Sequence, residues 1–269
     1  MSARPPAQMS GSRTLHLDTY AERYGTPAER YRELAEFYDE LFPFNADAEA
    51  AVAFIAKLAP GGRMLELGVG TGRIAIPLAQ RGCRVVGIDT SPEMLQLLAA
   101  KDPGRQVDTL LSDMCDPQVA GSFDVVYAVY NTLFALLTQE LQLRCLSAAA
   151  SHLRDGGYLV IEVGVPTISR RPDPFSITAD FRSPEEVTIQ ITQVDHLRQL
   201  LEHRHVHIGN DRVRVLPAVH RYIHVPELDL MARLAGFELD SRSGDWNHSP
   251  FDANSTRHVS VYRRLGRRG

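Results

Sequence analysis

Met64-Leu65-Glu66-Leu67-Gly68-Val69-Gly70-Thr71-Gly72-Arg73 reads as a buried strand that runs into a glycine turn and then a helix. Alternating glycines open backbone conformations closed to other residues and let a ligand approach the main chain closely. In α/β folds such a turn is where adenine-containing cofactors are gripped.

The spacing narrows the ligand. A dinucleotide fingerprint, G-x-G-x-x-G, needs its third glycine one turn into the helix. Arg73 stands there instead, and the third glycine falls at Gly72. A phosphate P-loop is excluded because no G-K-[ST] follows. A second signal lies downstream, where Arg84 to Asp89 form a short β-branched strand ending in a carboxylate about 20 residues after the loop, the place for an acid that accepts both ribose hydroxyls. Such an acid serves NAD as well as other adenosine cofactors. Thr90-Ser91-Pro92-Glu93-Met94 opens the next helix, with Ser91 as N-cap and Pro92 at its first position.

Composition sets the frame. The 269 residues carry 44% apolar side chains, enough for a sizeable core. A net charge of −4 argues against a nucleic-acid partner, which calls for a basic surface. No apolar run approaches the roughly 18 residues of a membrane span, and no signal core is seen, so the expectation is a cytoplasmic protein. Cys83, Cys115 and Cys145 form no close-spaced pair, so neither a disulfide framework nor a zinc site is suggested.

The pass along the chain predicts four parts. Residues 1–26 are a mobile leader, and 27–60 an N-terminal helical cap, with one helix from Pro27 to Leu41 and another from Ala46 to Leu58. Residues 61–164 and 225–269 form the core. Its strands are Arg63–Leu67, up to Ile88, Val107–Leu111, Phe123–Val129, Tyr158–Val163, Phe237–Ser241 and His258–Arg263, alternating with helices. The helices are expected at 72–81, 92–100, 139–153 and 225–235. Residues 165–224 switch to period-two patterning through Val187–Ile191, Leu201–Ile208, Val213–Leu216 and His220–His224, with Gly209-Asn210-Asp211 as a hairpin turn. The expected fold is α/β: a doubly wound, mostly parallel seven-stranded Rossmann-like sheet with an antiparallel last strand and an inserted antiparallel β lid.

E-x-G-x-G-x-G resembles motif I of the class I S-adenosylmethionine (SAM) dependent methyltransferases, and V-x-G-I-D-x-S-P-x-M-L from Val85 to Leu95 is similar to their second motif. That resemblance implies SAM as cofactor, S-adenosylhomocysteine as product, and a set of cofactor-binding positions. Glu66 orients the loop and the cofactor's amino end; Gly68, Gly70 and Gly72 give it main-chain access; Asp89 and Thr90 lie at the ribose. Met94 packs on the adenine or ribose, or is a plain core methionine. Asp113 and Met114, after the third strand, correspond to the adenine contacts of a third motif; the alternative for Asp113 is an ordinary loop aspartate. Tyr38, in a Tyr38-Asp39 pair, reaches the methionine carboxylate, while as part of a helical stripe with Tyr31 it reads equally as core. Tyr130 and Asn131, at the end of the fourth strand, line the junction of cofactor and acceptor, or else cap the loop.

The residues leave catalysis open. No N/D-P-P-Y/F run stands after the fourth strand, and no metal-binding aspartate of the catechol type, so no metal is expected. His203, His205 and His207 share one strand face at about 6–7 Å spacing, too far apart to converge on one ion, and read as a polar sheet face. His220, Tyr222 and His224 share one face and are the candidates for a base; the alternative is that the histidines are ordinary exposed strand residues. The inserted segment resembles that of glycine/sarcosine and aminosugar N-methyltransferases, which implies an acceptor cover and a homodimer contact. The expectation is a SAM-dependent methyltransferase acting on N or O of a small metabolite, a natural-product or aminosugar intermediate. The alternatives are an NAD-dependent oxidoreductase and a non-catalytic SAM-binding protein.

Overall fold

The computed structural model describes residues 25–166, 175–183, 185–209 and 212–266. Most of the expected leader, and Asn210 and Asp211 of the expected hairpin turn, lie outside the described residues, as does the side chain of Tyr31.

Seven strands form one sheet: β1 (Arg63–Leu67), β2 (Arg84–Asp89), β3 (Val107–Leu111), β4 (Phe123–Ala128), β5 (Leu153–Gly164), β10 (Phe237–Ser243) and β11 (Arg257–Arg264). Their order is β10-β11-β5-β4-β1-β2-β3, with β11 antiparallel to both neighbours and the pairs among β1 to β5 parallel. The order reverses at β1, whose neighbours are β2 and β4. That is the switch point where α/β sheets bind ligands.

The central strands β1, β4 and β5 are apolar on both faces because helices cover both. Leu65, Val126, Leu159 and Ile161 face α6 (Gln139–His152) and α7 (Val225–Leu234) through Leu146, Ala149, Leu228 and Met231. Met64, Val125, Tyr127 and Val160 face α3 (Ala46–Leu58) and α4 (Ala75–Gln80) through Val52, Ile55, Ala75 and Leu78. Side-chain caps fix where helices begin: Asn45 for α3, Ser91 for α5 (Pro92–Lys101) and Thr138 for α6 each accept a backbone N–H.

Three expectations change in detail. The single helix over 27–41 is two, α1 (Pro27–Ala35) and α2 (Tyr38–Leu41), because the chain leaves helical geometry at Phe37. The helix after the glycine loop starts at Ala75 rather than residue 72, since Gly72 takes φ +81°, outside the helical region. Strand β5 starts at Leu153: Leu153 pairs with Phe123 and Tyr158 with Val125, so the expected turn at 154–157 is a bulge within the strand.

A separate antiparallel sheet follows β5, in the order β6 (Phe175–Ser183), β7 (Glu186–Asp195), β8 (Leu200–Gly209) and β9 (Arg212–Arg221). Strand β6 was not expected. The two short segments foreseen at 213–216 and 220–224 are one strand that carries Pro217 on the sheet's edge, where a missing N–H is tolerated. The chain leaves that strand at Arg221, so His224 is the N-cap of α7 and not a strand residue. Arg221, buried, donates to Gln142 of α6 and pairs with Glu227 of α7 at 2.7 Å, which roots this sheet in the core.

Register shows which residues share a face. Ile177, Ile191, Arg204 and Pro217 lie across from one another, as do Ala179, Ile189, Val206 and Val215, and Phe181, Val187, Ile208 and Val213. The opposite face carries Thr178, Gln190, His205 and Leu216, with Thr192 beside His203 and Thr188 beside His207.

Candidate active site

The glycine loop leaves β1 with Gly68, Gly70 and Gly72 all at positive φ. A Cβ on Gly68 would lie 2.6 Å from the Thr132 methyl, so the protein's own packing demands glycine there. A Cβ on Gly70, at φ +53°, would meet nothing within 4 Å. That gap is a cradle at the carboxyl end of the sheet, open to a ligand.

Around it stand the carboxylates. Asp89 accepts the Gly70 N–H on Oδ2 at 2.8 Å and the Ser91 N–H on Oδ1 at 2.9 Å, which ties the end of β2 to the glycine loop. Each carboxylate oxygen has two lone pairs, so both can still accept a hydroxyl. Burial raises the Asp89 carboxyl against those backbone bonds. Glu66, buried in β1, accepts the Tyr127 hydroxyl at 3.0 Å, and burial pushes its carboxyl up to about 8. The short helix α2 lies over this loop. Asp39 accepts the Thr71 hydroxyl at 2.6 Å and pairs with Lys101 at 2.7 Å. The Tyr38 phenol, raised by burial, is near enough to Arg73, Glu66 and Asp89 for their charges to act on it.

The expected adenine-side positions are gathered at the ends of β2 and β3. Thr90 follows Asp89 directly, and Met94 is buried on α5. Asp113 is exposed and spends one oxygen on the Cys115 N–H at 2.8 Å, while half-buried Met114 packs against the core.

At the end of β4, Tyr130 and Asn131 both take left-handed backbone conformations, at φ +56° and +63°. A non-glycine residue there costs of order 1–3 kcal/mol and persists only where its surroundings hold it. Here the Glu162 carboxylate accepts the Tyr130 N–H, the Glu162 carbonyl accepts the Asn131 N–H, and Asn131 Oδ1 accepts the Gly164 N–H at 2.7 Å. The turn aims the Tyr130 ring at Arg73, whose guanidinium lies 3.6 Å from the ring centroid. Its hydroxyl donates to Asp47, which is paired with Arg257.

Between this edge and the small sheet is a cavity of about 960 Å³. Tyr38, Arg73, Tyr130, Asn131 and Glu162 line its core side; Thr188, Gln190, His203, His205, His207 and His220 line the sheet side. The face read from sequence as a polar sheet face is therefore the cavity wall. His203 Nδ1 lies 2.9 Å from the Thr192 hydroxyl, and His207 Nδ1 lies 2.8 Å from that of Thr188. Burial lowers the imidazoles of His203, to about 4, and His220, to about 3, so these two are uncharged at neutral pH, and it lowers His205 in the same direction. Of the three candidate bases, His220 and Tyr222 line the cavity. His224 is exposed, with its ring edge against Tyr222, and is not among the lining residues. Among the described residues no three His, Cys, Asp or Glu side chains are grouped to hold a metal.

Two residues that sequence reasoning passed over stand at the centre. Arg73 was used only as a missing glycine, and Glu162 not at all. Glu162 had a signal: one acid inside the apolar run Tyr158-Leu159-Val160-Ile161-Glu162-Val163, where a charge is costly unless it has work.

A switch-point glycine loop, a carboxylate tied to it and a walled chamber beside them define an α/β enzyme that brings a nucleoside cofactor to a small acceptor. Comparison makes the class definite. A family model described as a methyltransferase domain matches residues 64–157. Cypemycin N-terminal methyltransferase from a Streptomyces species is 31% identical over 220 residues, covering 79% of this chain and 88% of that protein. The CcbJ methyltransferase of Streptomyces caelestis superposes with a TM-score of 0.82 at 35% identity, over 90% of this chain and 98% of that one. CalS10, an amino pentose methyltransferase of Micromonospora echinaspora, shares the fold with a TM-score of 0.66 at 22% identity, over 87% of this chain and 96% of that one. The chain belongs to the class I SAM-dependent methyltransferases and is an enzyme of small-molecule methylation.

Proposed function

We propose that this enzyme methylates an amine on a polar, hydroxyl- or amide-bearing natural-product intermediate. One observation carries the reading: the acceptor side of the chamber presents the neutral imidazoles of His203 and His220, the Thr188 hydroxyl and the Gln190 amide, which donate and accept hydrogen bonds without carrying charge. Such groups suit the hydroxyls and amides of a polar acceptor. The cypemycin relative, an N-terminal methyltransferase, and CalS10, an amino pentose methyltransferase, support nitrogen as the acceptor atom. The test is transfer of labelled methyl groups from SAM to amino sugars, short peptides and catechols in parallel. Turnover of catechols alone would reject the amine.

In the same reading Gly68, Gly70 and Gly72 give the cofactor its main-chain access, Asp89 accepts the ribose hydroxyls and Thr90 lies beside them. Met94, Asp113 and Met114 border the adenine. Glu66 and Tyr38 stand near the amino-acid end, and Tyr130 stands at the junction. Bound there, SAM supplies an electrophilic methyl on sulfur. The chain's part is to hold the acceptor atom in line with it and keep water out, a proximity effect worth up to about 7–11 kcal/mol. The segment 165–224 serves as the acceptor's cover.

We also infer a homodimer through that segment. Its outward face presents Ile177, Phe181, Val213 and Val215, exposed at 69, 79, 66 and 53%, with Val187, Ile189, Ile191, Val206 and Ile208 on the same side. A sheet with polar residues inward and apolar ones outward asks for a partner, and a second copy offers the same face for sheet-on-sheet packing. No nucleic-acid partner is proposed, in keeping with the net charge of −4. No helix among the described residues is long and apolar enough to cross a membrane. A cytoplasmic site of action suits the three unpaired, buried cysteines.

A further inference from the structure

We propose that Glu162 is the proton acceptor of the reaction, taking a proton from the acceptor's ammonium group so that a free amine meets the methyl donor. This rests on the amine reading above.

The placement of the carboxylate is the main argument. Glu162 is 4% exposed, sits near the carboxyl end of β5 and lines the chamber beside Tyr130 and Asn131. Its two oxygens do different things. Oε2 is held by the Tyr130 N–H, which fixes the carboxylate's orientation. Oε1 has no hydrogen bond among the described residues; its nearest charged partner is the Arg257 guanidinium at 3.9 Å, beyond bonding distance. An ammonium group in the chamber would find there a fixed, partly shielded anion.

The other acids on the lining are worse placed. Glu29 is committed to the Thr26 capping box, Asp180 is an exposed residue of β6, across the chamber from the core strands, and Glu202 of β8 belongs to the sheet face opposite His203. The groups facing Glu162 are Arg257 from β11, Asp47 from α3, Arg73 from the glycine loop and Tyr130 from the end of β4. Burial outweighs the two cations and holds the carboxyl at about 6, ionised at neutral pH yet basic enough to accept a proton. The lowered imidazoles of His203 and His220 are poorer acceptors.

A proton passes from R–NH3+ to Glu162, giving R–NH2 and a neutral carboxyl. The nitrogen lone pair then forms the N–C bond as the C–S bond breaks, its electrons staying on sulfur, and the sulfonium becomes a thioether. The product leaves as R–NH2+–CH3, and Glu162 returns its proton to solvent.

The test compares wild type with Glu162→Gln, which keeps an oxygen for the Tyr130 N–H, using methyl-labelled SAM with glucosamine and the dipeptide Ala-Ala as probes. Wild-type kcat/KM should fall on acidification through about pH 6. Glu162→Gln should lose that acid limb and about 100-fold in kcat/KM at pH 7, with S-adenosylhomocysteine affinity unchanged. A variant that keeps both rate and limb overturns the proposal. If the wild type turns over neither amine but methylates a catechol, the amine reading fails and the proposal falls with it. A measurement free of any acceptor completes the set: carbon-13 spectra of glutamate carboxyls should contain one titrating near pH 6 that Glu162→Gln removes. Titration of the Glu162 carboxyl in the ordinary range near 4.5 also overturns it.

Discussion

Asp89→Ala is the substitution whose effect can be worked out most fully. In the structure both oxygens of Asp89 already hold backbone donors, Gly70 N at 2.8 Å and Ser91 N at 2.9 Å, so the carboxylate shapes the loop before any cofactor arrives. A hydrogen bond to a charged group is worth about 1.5–3 kcal/mol. Two ribose hydroxyls on this carboxylate would then contribute about 3–6 kcal/mol, and their loss should weaken binding by about 10²–10⁴-fold. The folded loop loses as well: two N–H groups are left to water, so a drop in melting temperature is expected. Asp89→Asn keeps one oxygen and should fall between. Calorimetric titration with S-adenosylhomocysteine reads the affinities, and a thermal melt shows that each variant is folded. A folded Asp89→Ala that binds within threefold of wild type would refute the ribose role.

Gly70→Ala adds a methyl where the protein itself has none within 4 Å, at φ +53°. Its backbone strain should cost about 1–2 kcal/mol of stability, and S-adenosylhomocysteine binding should fall further than stability does. Binding at wild-type strength would mean the cradle is not the cofactor's. Glu66 keeps its proton in the fold up to about pH 8 but loses it near 4.5 when unfolded, so its contribution to stability falls as pH rises between those values, by up to about 1.4 kcal/mol per unit. Glu66→Gln should therefore gain on wild type from pH 5 to pH 8 in chemical denaturation; a constant difference contradicts this. His203 has the opposite sign: neutral in the fold down to about 4 but ordinarily titrating near 6.5, its stabilisation is present above 6.5 and lost on acidification toward 4. His203→Gln should flatten that acid loss. Ile189→Lys on the outward apolar face should give monomers in sedimentation with the fold intact, and dimers at wild-type strength would reject the sheet-to-sheet contact.

The core was legible because its signals are local. Gly61-Gly62 before β1 and the glycine loop after it punctuate that strand, and β1 and β3 fall on the expected residues. The small sheet was harder for a physical reason. Period-two patterning says which residues share a face and is silent on which face is covered, and the ordinary assumption of polar outside fails where a sheet encloses a wet chamber. His203, His205 and His207 are legible in the sequence as one polar face, and it takes the packed sheet to show that this face lines the chamber. His224 was grouped with His220 because the alternation continues through Tyr222, while Pro226 two residues on already favours a helix start. Glu162 and Arg73 depend on tertiary placement, one from β5 and one from the glycine loop meeting at the left-handed turn of Tyr130, and no spacing in the chain brings them together.

A crystal structure with bound S-adenosylhomocysteine would test the account most directly. The expected result has both ribose hydroxyls on Asp89, the main chain at Gly70 against the ligand, and the sulfur turned toward the chamber between Tyr130 and the histidine wall. A cofactor seated elsewhere, or one whose sulfur faces away from that chamber, would contradict it.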